Sequence, residues 1–217
     1  MKLVVLGASG GVGRLLVASG KARGHHITAV GRANSKLEEI PEVRVLRGDL
    51  TDQAFLERAV EGQDVVLSAL GLKLAGIAPW NKPEDPEFLA HNVTALVAAM
   101  KAQKVSRVCA ISSGGVGDSM AMMPGFFKAF VALSAMRTVL ARLDEMEQVY
   151  FASGLDVCVV RPSGLTDGEA SGKVVIAKRF VGRATISRAD VAEYMLDQLS
   201  TAPFAHKSPV ITVTGAG

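Results

Sequence analysis

Apolar positions along the chain follow two alternating rhythms. Short, nearly continuous runs rich in Val, Ile and Leu cover residues 2–6, 26–30, 43–46, 64–68, 107–111, 156–160 and 210–213. Runs of this length without polar alternation predict strands buried on both faces, as in a parallel sheet. Between them the apolar spacing lengthens to three and four residues, which predicts helices over 11–23, 52–61, 86–103, 127–153 and 188–200. Ser187, three residues ahead of Asp190, forms a capping pair at the start of the last helix. Seven strands alternating with five or more helices predict an α/β fold: a doubly wound, Rossmann-type parallel sheet in a single domain spanning 1–217. No repeat, low-complexity stretch or hinge divides the chain.

Two segments break the alternation. Residues 71–84 (GLKLAGIAPWNKPE) read as a loop following the fourth strand, and 163–181 hold a short apolar run, 174–176, that reads as an excursion outside the main sheet. Ligands of open α/β sheets lie beyond the carboxyl ends of the strands, so segments 71–85, 114–130 and 163–182 are expected to enclose a substrate.

The first strand runs into GASGGVG, which places Gly7, Gly10 and Gly13 at GxxGxxG spacing between a strand and an amphipathic helix. In that context Gly7 permits a tight turn, Gly10 lets backbone approach a diphosphate, and Gly13 lets the helix pack closely on the strand. The free N–H groups and positive dipole end of the helix suit phosphate. A dinucleotide is the expected ligand. An acid about 20 positions past the glycines would hold a free ribose 2′-hydroxyl. Here Gly31 and Arg32 stand in its place, with Ser35 and Lys36 nearby, and a guanidinium suits a 2′-phosphate. NADP(H) is therefore expected over NAD(H).

Composition narrows the partners. Lys and Arg number 24 against 21 Asp and Glu, and the net charge of +3 is spread evenly, which disfavours nucleic acid. Cys109 and Cys158 lie inside apolar runs and read as reduced core residues. The chain opens directly into a strand with no secretory signal pattern, and the reading is cytoplasmic. Residues 119–136 are membrane-like, but Pro124, Gly125 and Lys128 interrupt them and a spanning helix needs roughly 20 apolar residues. The Met and Phe side chains of that segment suit a lid over a flat ligand, a core helix or a subunit contact. His25, His26, His91 and His206 lack metal-ligand spacing, and no metal is expected. His91 and Asn92 read as helix-surface positions, the alternative being that they face the cofactor. Ser112 and Ser113 lack the GxSxG context of a nucleophile, which leaves Ser112 as a hydrogen-bond donor beside a substrate or nicotinamide.

Taken together, GASGGVG, the GR after the second strand, GDLTD, SALG, AISS and VVRPSGLTDG resemble the atypical short-chain dehydrogenase/reductase group. Within it the likeness is to NAD(P)H-binding proteins of the biliverdin reductase B (flavin reductase) and NmrA-like kinds, and it runs over essentially the whole chain. The resemblance implies that Ser9, Gly10 and Val12 contact the diphosphate and Arg32 the 2′-phosphate. It implies Asp49 and Leu50 beside the adenine, and Ala69, Leu70 and Gly71 along the ribose and central linker. Ser112 would stand at the nicotinamide, as the candidate catalytic residue, with Pro162 and Ser163 bordering the ring. The Tyr-x-x-x-Lys pair of many relatives is missing: Tyr150 and Tyr194 are followed four residues later by Gly154 and Gln198. The expected activity is hydride transfer from NADPH to a flat small-molecule acceptor, a flavin or quinone, by a monomer or homodimer. The competing readings are a non-catalytic redox sensor and a sugar-nucleotide epimerase.

Overall fold

A computed structural model describes residues 1–216. Strand β1 (Lys2–Leu6) leads into helix α1 (Gly11–Ala22), followed by β2 (His26–Arg32), β3 (Arg44–Gly48), α2 (Gln53–Val60) and β4 (Val65–Ser68). Next come α3 (Phe88–Ala102), β5 (Arg107–Ile111), a 3-10 turn at Gly117–Met122, α4 (Gly125–Ala132) and α5 (Met136–Ala152). The chain continues through β6 (Asp156–Pro162), β7 (Gly164–Thr166), β8 (Val175–Ile176), β9 (Thr185–Ser187) and α6 (Arg188–Asp197). A second 3-10 turn, Gln198–Ser200, and β10 (Val210–Thr212) complete it. Eight strands form one sheet in the order β3-β2-β1-β4-β5-β6-β10-β8, parallel except for β8 against β10. The chain winds outward in one direction from β1 and in the other from β4, so a crevice opens between their carboxyl ends.

The continuous apolar runs are explained by the two layers they serve. In β1, Val4 and Leu6 belong to a core built with Leu56 of α2, Leu96 of α3 and Leu140 of α5. Leu3 and Val5 face the opposite core, with Leu16 of α1 and Met195 of α6. Side chains alternate across a strand, so a sheet covered on both faces needs apolar residues at every position. Each fully buried Leu or Val contributes roughly 1.5–3 kcal/mol. The two cysteines sit opposite each other on β5 and β6, fully buried and free.

The structure differs from the sequence-based expectations in two elements. The helix predicted over 127–153 is two helices, because the Ala135 amide between them donates to the Ile77 carbonyl of the 71–85 loop at 3.1 Å. The run at 174–176 does not leave the main sheet: Val175–Ile176 is its antiparallel edge strand, and the excursion is the separate pair β7–β9. Strand and helix ends shift by one to three residues elsewhere.

Candidate active site

The glycine turn is built by backbone contacts that leave no room for side chains. The N–H groups of Gly7 and Ala8 both donate to the Val30 carbonyl at the end of β2, at 3.0 and 3.2 Å. Gly7 adopts φ +76°, and a Cβ there would lie 2.8 Å from the Ala69 carbonyl oxygen. A Cβ on Gly13 would lie 2.1 Å from the Gly7 carbonyl oxygen, so α1 rests on the turn only because residue 13 is glycine. Gly10 is the N-cap and brings no side-chain cap, and the first i→i−4 bond is Arg14 N to Gly10 O at 2.9 Å. The N–H groups of Gly11, Val12 and Gly13 thus precede the helical ladder and carry the positive end of its dipole. This is an anion cradle that matches a dinucleotide diphosphate.

A cleft of about 600 Å³ runs from this turn. Gly7, Ser9, Gly10, Val12, Arg32, Leu50, Ala69, Leu70, Gly71 and Ser112 all line it. Gly13 lies beneath the turn and Pro162 and Ser163 beyond the cleft's inner end. Asp49 does not line it; its carboxylate accepts from the Thr51 amide at 2.8 Å and hydroxyl at 2.7 Å, bonds that hold it below the usual carboxylate range. At the outer end, exposed Arg32 adjoins Ser35, whose buried hydroxyl has no hydrogen-bond partner among the described residues. The floor at Leu50 is fixed by Asn92, which is buried rather than on the helix surface and donates its amide to the Leu50 carbonyl at 2.6 Å. The 71–85 loop lines this cleft through Gly71, Leu72, Lys73, Glu84 and Asp85, and does not reach the apolar cavity described next. It leaves β4, which neighbours β1.

A second cavity, of about 720 Å³, lies on the other side of Ser112. Its walls are Met123, Pro124, Phe126, Phe127, Phe130, Met136 and Phe180, with Pro162, Ser163 and the turn into β9 closing it; Arg183 is its single charged lining residue among those described. Cleft and cavity share Ser112, Ser113 and Leu165. The Ser112 amide donates to the Val160 carbonyl at 2.7 Å, which fixes the residue at the end of β5, while its buried hydroxyl has no partner among the described residues. Ser163 is committed elsewhere: its hydroxyl donates to Thr212 Oγ1 at 2.8 Å. Neither tyrosine lines either space. Burial pushes the Tyr150 hydroxyl up to about 12, and burial also raises Tyr194. Among the described residues no group of three or more His, Cys, Asp or Glu is placed to hold a metal ion, and no helix is long and apolar enough to cross a membrane.

The sequence missed two contributors. Residues 183–185 lie just past the segment 163–182 expected to enclose a substrate, where no periodicity marks a wall, whereas Phe180 falls inside that segment. Arg188 lines the dinucleotide cleft; the Ser187–Asp190 cap locates the start of α6, but nothing local shows that its first residue meets the glycine turn.

Residues 7–202 match the model of a family described as NAD(P)H-binding. An uncharacterised chloroplast protein of Arabidopsis thaliana is 28% identical over 210 residues, covering 91% of this chain and 71% of its own. The 3 beta-hydroxysteroid dehydrogenase/Delta 5→4-isomerase of Mycobacterium tuberculosis is 30% identical over 175 residues, 76% of this chain but only 47% of the enzyme. Among solved structures, a short-chain dehydrogenase/reductase of Veillonella parvula in complex with NADP superposes with TM-score 0.79 at 20% identity, covering 99% of this chain and 95% of that one. The anaerobilin reductase ChuY of Escherichia coli O157:H7 superposes with TM-score 0.75 at 20% identity, covering 100% and 99%. The glycine cradle, the doubly wound sheet and a family match running from that cradle through α6 lead to one conclusion: the chain belongs to the NAD(P)H-binding family of Rossmann-type proteins.

Proposed function

We propose that the protein is an NADPH-dependent reductase acting on a flat, apolar acceptor such as a flavin or quinone. The observation that carries this reading is Ser112: a buried, unpartnered hydroxyl at the boundary where the dinucleotide cleft meets an apolar cavity. Buried polar groups without partners are uncommon and mark places where a ligand supplies the missing bond. The glycine cradle would hold the diphosphate, and Arg32 with Ser35 the 2′-phosphate. That orientation directs the nicotinamide end along the cleft toward Ser112. When bound, the cofactor supplies the hydride.

The protein's own residues bind, orient and exclude water. The aromatic and methionine walls of the cavity favour a planar ligand and keep bulk water from the transfer. Ser112 donates a hydrogen bond to the ring or acceptor and fixes their separation. A flavin or quinone takes two electrons with the hydride and then a proton from solvent, so the chain needs no acid of its own. Tyr150, fully enclosed and shifted further from neutrality, serves packing. The test is oxidation of NADPH with a panel of flavins and quinones. Turnover with planar acceptors supports the reading, whereas tight NADPH binding without turnover on any of them supports a non-catalytic sensor.

A further inference from the structure

We propose that Arg188 is a further diphosphate-binding residue, flanking the dinucleotide cleft beside the glycine turn. The assignment rests on the cofactor reading given above. Three observations place it. Arg188 lines the cleft. A Cβ built on Gly11 would lie 2.8 Å from Arg188 Cδ and 3.0 Å from Nε, so the arginine stem lies directly on the first turn of α1 and any side chain at 11 would displace it. That first turn holds no acidic residue.

A guanidinium against the positive end of a helix is electrostatically unfavourable unless an anion lies between or beside them. In the structure one anion answers it: Asp167 accepts from Arg188 Nη1 at 2.7 Å, but the Asp167 side chain is 93% exposed and the pair is correspondingly weak. The remaining donors of the guanidinium carry no hydrogen bond among the described residues. They stand next to the open N–H groups of α1. A diphosphate held by those N–H groups would lie within reach of these donors, and Arg offers the forked geometry that phosphate oxygens prefer.

The position is fixed by the fold. Asp190 accepts from the Ser187, Ser171 and Gly172 amide or hydroxyl groups at 2.8–3.1 Å, which ties the start of α6 to the strap at 171–172. At the far end of α1, Arg23 pairs with Asp197 at 2.7 Å and with Glu193, so α6 is clamped alongside α1 over its length. Arg188 therefore approaches the cradle on a rigid helix, as its first residue.

The test measures dissociation constants of NADPH, NADH and adenosine 2′-phosphate for the wild type, Arg188→Gln and Arg188→Glu, with thermal melting to verify folding. Loss of a charged hydrogen bond predicts that Arg188→Gln weakens NADPH and NADH by the same factor, about ten- to a hundredfold, and that charge reversal weakens them further. Adenosine 2′-phosphate, which carries no diphosphate, keeps its affinity. Unchanged dinucleotide binding in a folded variant, a loss confined to NADPH, or an equal loss of adenosine 2′-phosphate would each overturn the assignment. A wild type that binds neither dinucleotide would instead undo the cofactor reading itself.

Discussion

At the scale of single residues, the three motif glycines carry separable jobs. Gly13 is excluded from any substitution by the 2.1 Å approach of its would-be Cβ to the Gly7 carbonyl, whereas a Cβ on Gly10 would sit 3.2 Å from the same oxygen and otherwise face the cleft. Gly13→Ala is therefore expected to lower the melting temperature, while Gly10→Val leaves a folded protein that no longer binds NADPH; melting curves and cofactor titration check both. Unchanged affinity in folded Gly10→Val would remove the diphosphate from the cradle. Arg32→Ala is expected to weaken NADPH by about ten- to a hundredfold and to leave NADH unaltered, because only NADPH carries the charged partner. Equal weakening of the two would show that Arg32 does not read the 2′-phosphate. Ser112→Ala should slow turnover by a few- to tenfold, the worth of one positioning hydrogen bond, with NADPH affinity retained. Tyr150→Phe should leave the rate intact.

At the scale of elements, the segment after β5 is held to the fold by a buried ion pair. Arg161 on β6 donates from Nε to both carboxylate oxygens of Glu147 of α5 at 3.0 and 3.1 Å and from Nη2 to one of them at 2.5 Å, and its Nη1 reaches Asp118 of the 3-10 turn at 2.5 Å. Arg161 and Glu147 are 4% and 1% exposed. Arg161→Met leaves Glu147 buried and unpaired and should cost about 3–5 kcal/mol in chemical denaturation, whereas Arg161→Met with Glu147→Met should recover most of that loss. A double variant as unstable as the single would contradict the account. Asp190 adds a pH dependence. Burial raises its carboxyl, but the bonds from Ser187, Gly172 and Ser171 outweigh burial and hold it below the usual value. A carboxylate depressed in the folded state stabilises the fold above its unfolded pKa of about 3.9 and loses that contribution as pH falls through the folded value. Asp190→Asn should therefore be less stable than wild type near neutrality, with the difference shrinking below about pH 4. None of these long-range ties was legible in the sequence, since Arg161 and Glu147 are separated by a turn and Asp118 by a whole helix pair. The break between α4 and α5 was hidden for a related reason: it is set by the Ile77 carbonyl, remote in sequence.

At the scale of the molecule, the doubly wound sheet was readable because burial on both faces leaves unbroken apolar runs, and the glycine turn because its backbone contacts admit one residue type. Leu50 and Ala69–Gly71 were placed by resemblance and do line the cleft, while Asp49, placed the same way, turns to its own Thr51. The segments 114–130 and 163–182 supply Phe126, Phe127 and Phe180 to the second cavity, while Met136 and Arg183 come from outside both. What the assembled molecule adds is the meeting of two spaces at Ser112. The central claim, that hydride passes directly from the nicotinamide in one space to an acceptor in the other, is tested by single-turnover oxidation of NADPH deuterated at one or the other face of nicotinamide C4, with a planar flavin or quinone as acceptor. The account predicts a several-fold slower rate with one of the two stereoisomers and no change with the other. Equal rates for both, or bound NADPH that no acceptor oxidises, would contradict it.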